Sequence, residues 1–245
     1  MTDEFIIFTD LDGTLIRSAK KRAETDIVVE WKNGEEITCV SGKSAKLFSV
    51  LKNTIPVTTR SIEQYKRIEI ANFAPEFAIC GNGGNLLING EICAEWRKFS
   101  DNEFEKCSDE MEKCREIFER DENRSFEIRL VDGLFLFTKS DNVAKTLERT
   151  SGFEKLNCFS VGAKVYAFPK ALDKGLAAQR FLQSRNFRGK IICAGDSIPD
   201  IPLLNIADIA IFPDDLQGVT AKTTLTAPRV AFTDFVVETL AGFCG

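Results

Sequence analysis

Residues 5–14 read FIIFTDLDGT, and this stretch decides the fold. Its first four residues are all apolar, which is typical of a β-strand that is buried on both faces within a parallel sheet. The run ends at Asp10 and Asp12, two carboxylates spaced two residues apart, and Gly13 then permits a sharp exit from the strand. Because ligands of open α/β sheets bind at the carboxyl ends of the strands, the stretch predicts a ligand site directly after the first strand.

Similar apolar runs recur along the chain and alternate with helical patterns. Strands that alternate with helices predict an α/β fold, with a doubly wound, mainly parallel, Rossmann-like sheet. The further predicted strands lie at 55–58, 77–80, 191–194 and 209–212, with a weaker candidate at 224–226.

The middle of the chain has the pattern of a separate α+β unit. Asn89-Gly90 and Asp132-Gly133 each separate two strand-like runs, which is a strong signal for a β-hairpin. One long, charged amphipathic helix is predicted between them, at 101–120. Such an insertion fits a chain of two domains. The predicted domains are a core of residues 1–83 and 170–245 and a smaller, inserted α+β domain of residues 84–169.

A third hairpin is predicted at 27–40, just downstream of the first strand. It turns at Asn33-Gly34, and its partial alternation makes Val29, Trp31 and Ile37 the expected buried residues. A lid over the site is one interpretation of this hairpin. Packing at a sheet edge or between subunits is the other.

Composition excludes several classes of function. The chain has 37 acidic and 32 basic residues and a net charge of −5, which argues against a protein that neutralises the phosphates of DNA or RNA. No apolar run approaches the ~18 residues that a membrane-spanning helix needs. The first residues do not resemble a signal peptide, so we expect a cytoplasmic protein. The absence of histidine excludes Ser-His-Asp and Cys-His nucleophile systems and a histidine general base.

A second acidic pattern follows the predicted strand at 191–194. Residues 195–200 read GDSIPD and contain Asp196 and Asp200, while Ser197 can cap the next helix. Four carboxylates from two strand ends make a hard-oxygen site that suits Mg²⁺. Of two carboxylates at one strand end, one can act as a nucleophile and the other, when protonated, as an acid. Taken alone, the first pattern has solvated loop aspartates as its alternative, and the second has plain helix capping.

Four short motifs occur in an order that resembles the haloacid dehalogenase superfamily of aspartyl-phosphate phosphatases. They are FTDLDGTL at 8–15, PVTTR at 56–60, ALDKG at 171–175 and GDSIPD at 195–200. Their spacing is similar to that of the sugar-phosphatase branch (sucrose-phosphatase and Cof-like proteins), in which an α+β cap lies between the second and third motifs. The resemblance covers nearly the whole chain. It implies a Mg²⁺-dependent phosphatase that acts on a small phosphorylated metabolite, such as a sugar phosphate.

The resemblance implies a role for each acidic residue of the first and last motifs. Asp10 matches the nucleophile that attacks phosphorus and becomes a phospho-aspartate. Asp12 matches the general acid for the leaving alcohol, which later acts as the base for the hydrolytic water, and its backbone carbonyl would also bind Mg²⁺. Asp196 and Asp200 match the acids that hold the metal with them.

The remaining motif residues match groups that bind the substrate. Thr58 matches a hydroxyl that binds a phosphoryl oxygen, and Lys174 matches a cation that offsets the charge on the nucleophile and the phosphate. Arg60 follows the second motif where many relatives have a substrate-binding arginine, and a surface arginine is the alternative. Asn82 begins an Asn-Gly-Gly turn that looks like the entrance to the cap, where it is either a substrate ligand or a plain turn residue.

Two residues depart from the pattern of the superfamily. Thr59 stands where glycine is common before the arginine, and Pro199 stands where relatives often have asparagine beside the last metal ligand. The loss of that amide predicts weaker metal binding. Besides a phosphatase, two functions stay open: a phosphomutase that uses the same phospho-aspartate, and a phosphate-binding relative without turnover.

Overall fold

The chain forms two compact units in the computed structural model, which describes residues 4–51 and 53–244. The first unit contains the chain up to Ile92 and again from Lys174 onwards. The second unit is Cys93–Asp173, so it is an insertion in the first. Residues 84–92 belong to the first unit because they form strands that pair beside residues 77–80.

The secondary structure of the described residues alternates strands and helices at both ends of the chain. The strands are β1 (Phe5–Thr9), β2 (Arg17–Ser18), β3 (Ile27–Lys32), β4 (Glu35–Val40), β5 (Thr54–Pro56), β6 (Phe77–Cys80), β7 (Asn85–Ile88), β8 (Glu91–Ile92), β9 (Arg129–Val131), β10 (Phe135–Lys139), β11 (Leu156–Val161), β12 (Lys164–Pro169), β13 (Lys190–Ala194), β14 (Ile209–Pro213) and β15 (Thr223–Ala227). The α-helices are α1 (Gly42–Ala45), α2 (Ile62–Lys66), α3 (Ala94–Glu105), α4 (Ser108–Glu119), α5 (Val143–Thr150), α6 (Lys174–Ser184), α7 (Ile201–Leu204) and α8 (Phe232–Cys244). None of the helices within 4–51 and 53–244 combines the length and the apolar character needed to cross a membrane.

The first unit is built on a five-stranded parallel sheet in the order β15-β14-β13-β1-β5. In β1, Ile7 packs in one apolar cluster with Val236 of α8, whereas the ring of Phe8 contacts that of Phe181 in α6. Successive residues of a strand point to opposite faces of the sheet, so α6 and α8 cover opposite faces. This arrangement confirms the predicted doubly wound α/β core.

The predicted strand at 77–80 lies beside this sheet rather than within it. It is β6, which forms an antiparallel sheet in the order β6-β7-β8 and touches the second-motif segment through one bridge, from Val57 to Ile79. The turn between β7 and β8 has positive φ at Asn89 (49°) and Gly90 (82°). That is the backbone of a type I′ hairpin turn, as the Asn-Gly signal predicts.

The hairpin at 27–40 forms from β3 and β4; its expected burial is wrong at Trp31 and only partly met at Ile37, which is half-buried. Val29 and Glu30 are both buried, whereas Trp31 is 54% exposed. The pairing of β3 with β4 shifts register on both sides of Glu30. Such an irregularity breaks the alternation of a strand, which turns Glu30 inward and Trp31 outward.

The second unit packs helices on a four-stranded antiparallel sheet in the order β11-β12-β10-β9. Met111, Cys114 and Phe118 of α4 form a buried cluster with Leu136 and other residues of the sheet. The single helix predicted at 101–120 is wrong, because the segment belongs to two helices, α3 and α4. The chain leaves helical geometry at the residue before α4, where φ is −116° and ψ is 11°.

Candidate active site

The carboxyl ends of β1 and β13 bring the first and last motifs together. The two strands are parallel neighbours, with Thr9 opposite Ala194, and the Asp10 N–H donates to the Ala194 carbonyl at 2.8 Å. Carboxylate oxygens of Asp10, Asp196 and Asp200 all lie within 4.8 Å of one another. The geometry therefore unites three of the acids that the motifs single out, from opposite ends of the sequence.

Lys174 joins this cluster from the first turn of α6. Its Nζ donates to Asp10 Oδ1 and to Asp200 Oδ1, each at 2.5 Å. The side chains of all three residues are almost fully buried, with exposures of 6% or less. The ammonium group is thus a fixed positive charge in direct contact with the predicted nucleophile.

The cluster is short of positive charge. Burial raises the pKa of Asp10 well above its usual value, and the negative charges of Asp200 and Asp196 add to this against the opposing effect of Lys174. Burial and the charge of Asp200 also raise the pKa of Asp196, to about 6. Burial alone would lower the pKa of Lys174, but Asp10 and Asp200 outweigh it and raise that pKa. Two cations, Lys174 and the more distant Arg229 at 3.4 Å from Asp196, face three carboxylates, so the site favours binding of a further cation.

A divalent cation fits these residues on chemical grounds. The donors that converge are hard carboxylate oxygens, which are the ligands that Mg²⁺ prefers, and it commonly takes only a few of them beside water. Burial and the neighbouring carboxylates raise the pKa values of Asp10 and Asp196 despite the opposing charges of Lys174 and Arg229, and a bound cation would offset both effects. Asp12 is placed differently: its carboxylate is 49% exposed and pairs with Arg60, which leaves its backbone carbonyl as the predicted ligand.

Asp200 is also held by the turn that precedes it. Its Oδ2 accepts from the N–H groups of Asp196 (3.1 Å) and Ser197 (3.0 Å) and from the Ser197 hydroxyl (2.9 Å). Pro199 is the second residue of this short helical turn, Ile198–Asp200, where proline is tolerated because the first turn of a helix leaves its N–H groups unpaired. Helix capping and the acidic cluster are therefore not alternatives here, because one carboxylate serves both.

Two glycines allow the acids to approach the backbone this closely. Gly13 has φ of +83°, and a Cβ at that position would collide with the carboxylate of Asp196. A Cβ on Gly195 would collide with Asp200. Larger residues at these positions would displace the acidic side chains.

We expect the Gly13→Ala variant to lose roughly 2 to 3 kcal/mol of unfolding free energy, because alanine is strained at this φ and its Cβ overlaps Asp196. Urea unfolding measures the loss. Gly152→Ala is the matched control, since no atom lies within 4 Å of its added Cβ. Equal stability of the two variants would contradict the close approach of Asp196 to Gly13.

The second motif and the Asn82 turn meet through the backbone. Thr58 is fully buried, its N–H donates to Ile79, and its carbonyl accepts from the Asn82 N–H at 2.9 Å. Asn82 is 2% exposed and adopts a left-handed conformation, with φ of 55° and ψ of 33°. Because Val57 donates to the Thr9 carbonyl at 2.8 Å, this pair lies at the same sheet edge as Asp10.

Arg60 contacts carboxylates of the chain itself. Its Nε and Nη2 donate to the two oxygens of Asp12 at 2.6 and 2.7 Å, and its Nη1 donates to Glu30 at 2.8 Å. Burial would lower the pKa of Arg60, but Asp12 and Glu30 outweigh it and raise that pKa. The predicted contact of Arg60 with substrate stays a prediction.

Sequence patterns missed two residues that the structure places next to the site. Glu30 could have been suspected only because it is the one acid in the strand run IVVEWK at 27–32. Arg229 lies after β15 and contacts Asp196 at 3.4 Å and Asp215 at 2.7 Å. No motif marks Arg229, since this contact depends on folding between residues 33 positions apart.

Comparisons with known proteins give one relative among curated sequences and many similar structures. No family model matches the chain. Phosphoglycolate phosphatase 2 from Saccharolobus solfataricus is 25% identical over 218 residues, which cover 86% of this chain and 79% of the relative.

The solved structures extend the similarity over almost the entire chain. A sucrose-phosphatase from Synechocystis sp., in complex with sucrose and phosphate, has a TM-score of 0.67 at 14% identity and covers 97% of this chain and 98% of its own. A trehalose-6-phosphate phosphatase related protein has a TM-score of 0.58 at 19% identity, with 97% of both chains covered. A haloacid dehalogenase-like hydrolase from B. subtilis has a TM-score of 0.61 at 11% identity and covers 96% and 98%. The resemblance predicted from the four motifs is confirmed in the fold, which is that of the haloacid dehalogenase-like hydrolases.

Proposed function

We propose that this protein is a Mg²⁺-dependent phosphatase that hydrolyses a small phosphorylated metabolite through a phospho-aspartate at Asp10. The observation that carries the proposal is a buried carboxylate at the end of β1, in contact with a buried ammonium group and beside two further acids. The similarity to phosphoglycolate phosphatase 2, to a sucrose-phosphatase and to a trehalose-6-phosphate phosphatase related protein supports a sugar phosphate or a related phosphomonoester as the substrate.

In the first step, Asp10 attacks phosphorus. A bond forms between its carboxylate oxygen and phosphorus, the bond from phosphorus to the leaving alcohol breaks, and Asp12 donates a proton to that alcohol. Lys174 offsets charge on the nucleophile and the phosphate, and the Thr58 hydroxyl donates to a phosphoryl oxygen. Phosphoryl transfer depends on positioning and charge neutralisation more than on covalent chemistry, and this set of residues provides both.

In the second step, water attacks the phosphorus of the phospho-aspartate. Asp12, now ionised, accepts the proton of the water, phosphate leaves, and the Asp10 carboxylate is restored. The half-exposed Asp12 side chain gives this proton a route to solvent. A Mg²⁺ ion bound by Asp10, Asp196, Asp200 and the Asp12 carbonyl would supply further positive charge to the phosphoryl oxygens.

We assign the remaining roles in line with the motifs. Asn82 and Arg60 are proposed as substrate ligands beside Thr58 and Lys174. The first unit is proposed as the catalytic core, because it contains all of these residues, and the second unit is proposed as the cap domain that selects the substrate.

Phosphate release from a panel of phosphorylated sugars and glycerates tests the function. We expect Mg²⁺ to support turnover of at least one of them, EDTA to abolish it, and added Mg²⁺ to restore it. Metal-independent turnover would contradict the roles of Asp196 and Asp200. Conversion of a hexose 1-phosphate to the 6-phosphate, with little free phosphate, would identify a phosphomutase instead.

Without metal, we expect the Asp196→Asn variant to be more stable than the wild type at neutral pH. A carboxyl whose pKa rises on folding from 3.8 to about 6 destabilises the ionised folded protein by roughly 2 to 3 kcal/mol. The folded protein binds this proton more tightly than the unfolded chain, so stability in EDTA falls as the pH rises through this interval. Thermal unfolding in EDTA measures this effect, and we expect the Tm of Asp196→Asn to be higher than that of the wild type by about 4 to 10 °C.

Mg²⁺ is expected to reverse that order. It stabilises the wild type by about 2.7 kcal/mol when present at about 100 times its dissociation constant, and it stabilises the Asp196→Asn variant much less. A variant that is less stable than the wild type in EDTA, or that responds equally to Mg²⁺, would contradict the assignment of Asp196 as a metal ligand.

A further inference from the structure

We propose that Glu30 is a positioning residue for the acid and base functions of Asp12, and that it acts through Arg60. The inference rests on the proposed phosphatase function, because it assigns Glu30 a part in the same reaction. Glu30 lies in β3, in a hairpin that contributes none of the motif residues.

The Arg60 guanidinium links the carboxylates of Glu30 and Asp12, and it uses a different edge for each. Its Nε and Nη2 edge holds both oxygens of Asp12, at 2.6 and 2.7 Å, and its Nη1 holds Glu30 Oε2 at 2.8 Å. The guanidinium group is planar and rigid, so a partner that fixes Nη1 also fixes the direction of the opposite edge. Glu30, whose contact is shorter than the 3.3 Å contact of the same Nη1 with the Gln64 carbonyl, therefore does most to set the direction from which Arg60 meets Asp12.

Glu30 is itself held firmly. Its side chain is fully buried, and its Oε2 also accepts from the Thr38 hydroxyl at 3.2 Å. Its Oε1 accepts from Arg67 Nε and Nη2 at 3.3 and 3.1 Å. A buried, paired charge of this kind adds little to stability compared with apolar packing, so its stabilising effect alone does not account for it.

Asp12 needs such support because its own surroundings do not fix it. Its side chain is 49% exposed, whereas the Arg60 side chain is 11% exposed. An exposed carboxylate rotates freely unless a partner holds it. A catalytic group that is misplaced by about 1 Å can lose on the order of 100-fold in rate. The chain Glu30–Arg60–Asp12 thus supplies the rigidity that proton transfer to the leaving group requires.

Leaving-group dependence separates this role from a merely structural one. The departure of p-nitrophenol needs little protonation, while phenol needs more, so kcat/KM for the two aryl phosphates reports the acid function. We expect Glu30→Gln to lower kcat/KM by about 10- to 100-fold for phenyl phosphate and by less than about 3-fold for p-nitrophenyl phosphate. A uniform loss on both esters, or no loss, would overturn the proposal.

Glu63→Gln is the matched control. Glu63 also pairs with Arg67, at 3.0 Å, but its side chain is 85% exposed. We expect Glu63→Gln to leave kcat/KM unchanged for both phenyl phosphate and p-nitrophenyl phosphate. If Glu30→Gln does not fold, Thr38→Val is the milder variant, because it removes only the hydroxyl that donates to Glu30 Oε2. We then expect kcat/KM to fall for phenyl phosphate but not for p-nitrophenyl phosphate, by a smaller factor than in Glu30→Gln.

A spectroscopic measurement tests the link without activity. In ¹⁵N NMR, the Nε–H resonance of Arg60, assigned with Arg60→Lys, is expected to exchange slowly in the wild type and in Glu63→Gln, and rapidly in Glu30→Gln or Thr38→Val. An unchanged Arg60 resonance in both of the latter variants would overturn the positioning role, even in an active enzyme. An Arg60 resonance that responds as expected in a protein that hydrolyses neither ester would instead count against the proposed phosphatase function.

Discussion

The Asp10→Asn variant is expected to lose turnover by a factor on the order of 10⁴ or more while it remains folded. An amide does not attack phosphorus as a carboxylate does, so no acyl phosphate forms. Folding is retained because asparagine has the same shape and Lys174 keeps its contact with Asp200. Burial raises the pKa of Asp10, so removing its charge costs the folded state little.

Phosphate release in the presence of Mg²⁺, together with circular dichroism, measures both parts of this prediction. Asp101→Asn is the control, because Asp101 forms an exposed pair with Arg97 in the second unit. We expect it to keep the wild-type rate. Substantial turnover by Asp10→Asn, in a sample free of wild-type protein, would contradict the role of Asp10 as nucleophile.

The Lys174→Met variant is expected to lose both turnover and stability. Lys174 is buried between Asp10 and Asp200, and its removal leaves two buried carboxylates without their counter charge. Removal of one partner from a buried ion pair lowers the unfolding free energy by about 3 to 5 kcal/mol. Urea unfolding in EDTA measures it. Lys222→Met, which removes an exposed lysine paired with Asp208, is expected to cost less than about 1 kcal/mol.

A double variant separates the charge effect from lost packing. Removal of Asp10's charge in the Lys174→Met background takes away part of the uncompensated charge. We therefore expect Asp10→Asn to restore about 1 to 3 kcal/mol of unfolding free energy to the Lys174→Met variant. The same substitution is expected to change the unfolding free energy of the wild type little. A loss in Lys174→Met no larger than that in Lys222→Met would contradict the buried ion cluster.

Local signals predicted most of the fold. The apolar run before Asp10 predicted an interior strand of the parallel sheet, and the Asn89-Gly90 pair predicted a hairpin turn that the backbone adopts. The prediction of one helix at 101–120 was wrong because the helical spacing of apolar residues continues from α3 into α4. That spacing gives no sign of the break between the two helices. Trp31 was misplaced because the register shift beside Glu30 depends on pairing with β4, which the alternation of one strand does not reveal.

The candidate site was predictable as a set of residues but not as a set of contacts. The motifs singled out Asp10 and Lys174, which meet across 164 positions of sequence. The contact of Asp12 with Arg60, and of Arg60 with Glu30, followed from no motif. A lone acid in a strand is read as a solvent-facing residue, and only the folded hairpin shows that this one is buried.

Borohydride trapping tests the central claim, that Asp10 carries the phosphoryl group. Sodium borohydride reduces an acyl phosphate to an alcohol and leaves a free carboxylate intact. Protein quenched during turnover and then reduced is expected to contain homoserine at position 10, found by peptide mass analysis, and none without substrate. Turnover with an unmodified Asp10, or with the reduced residue at another position, would contradict the account.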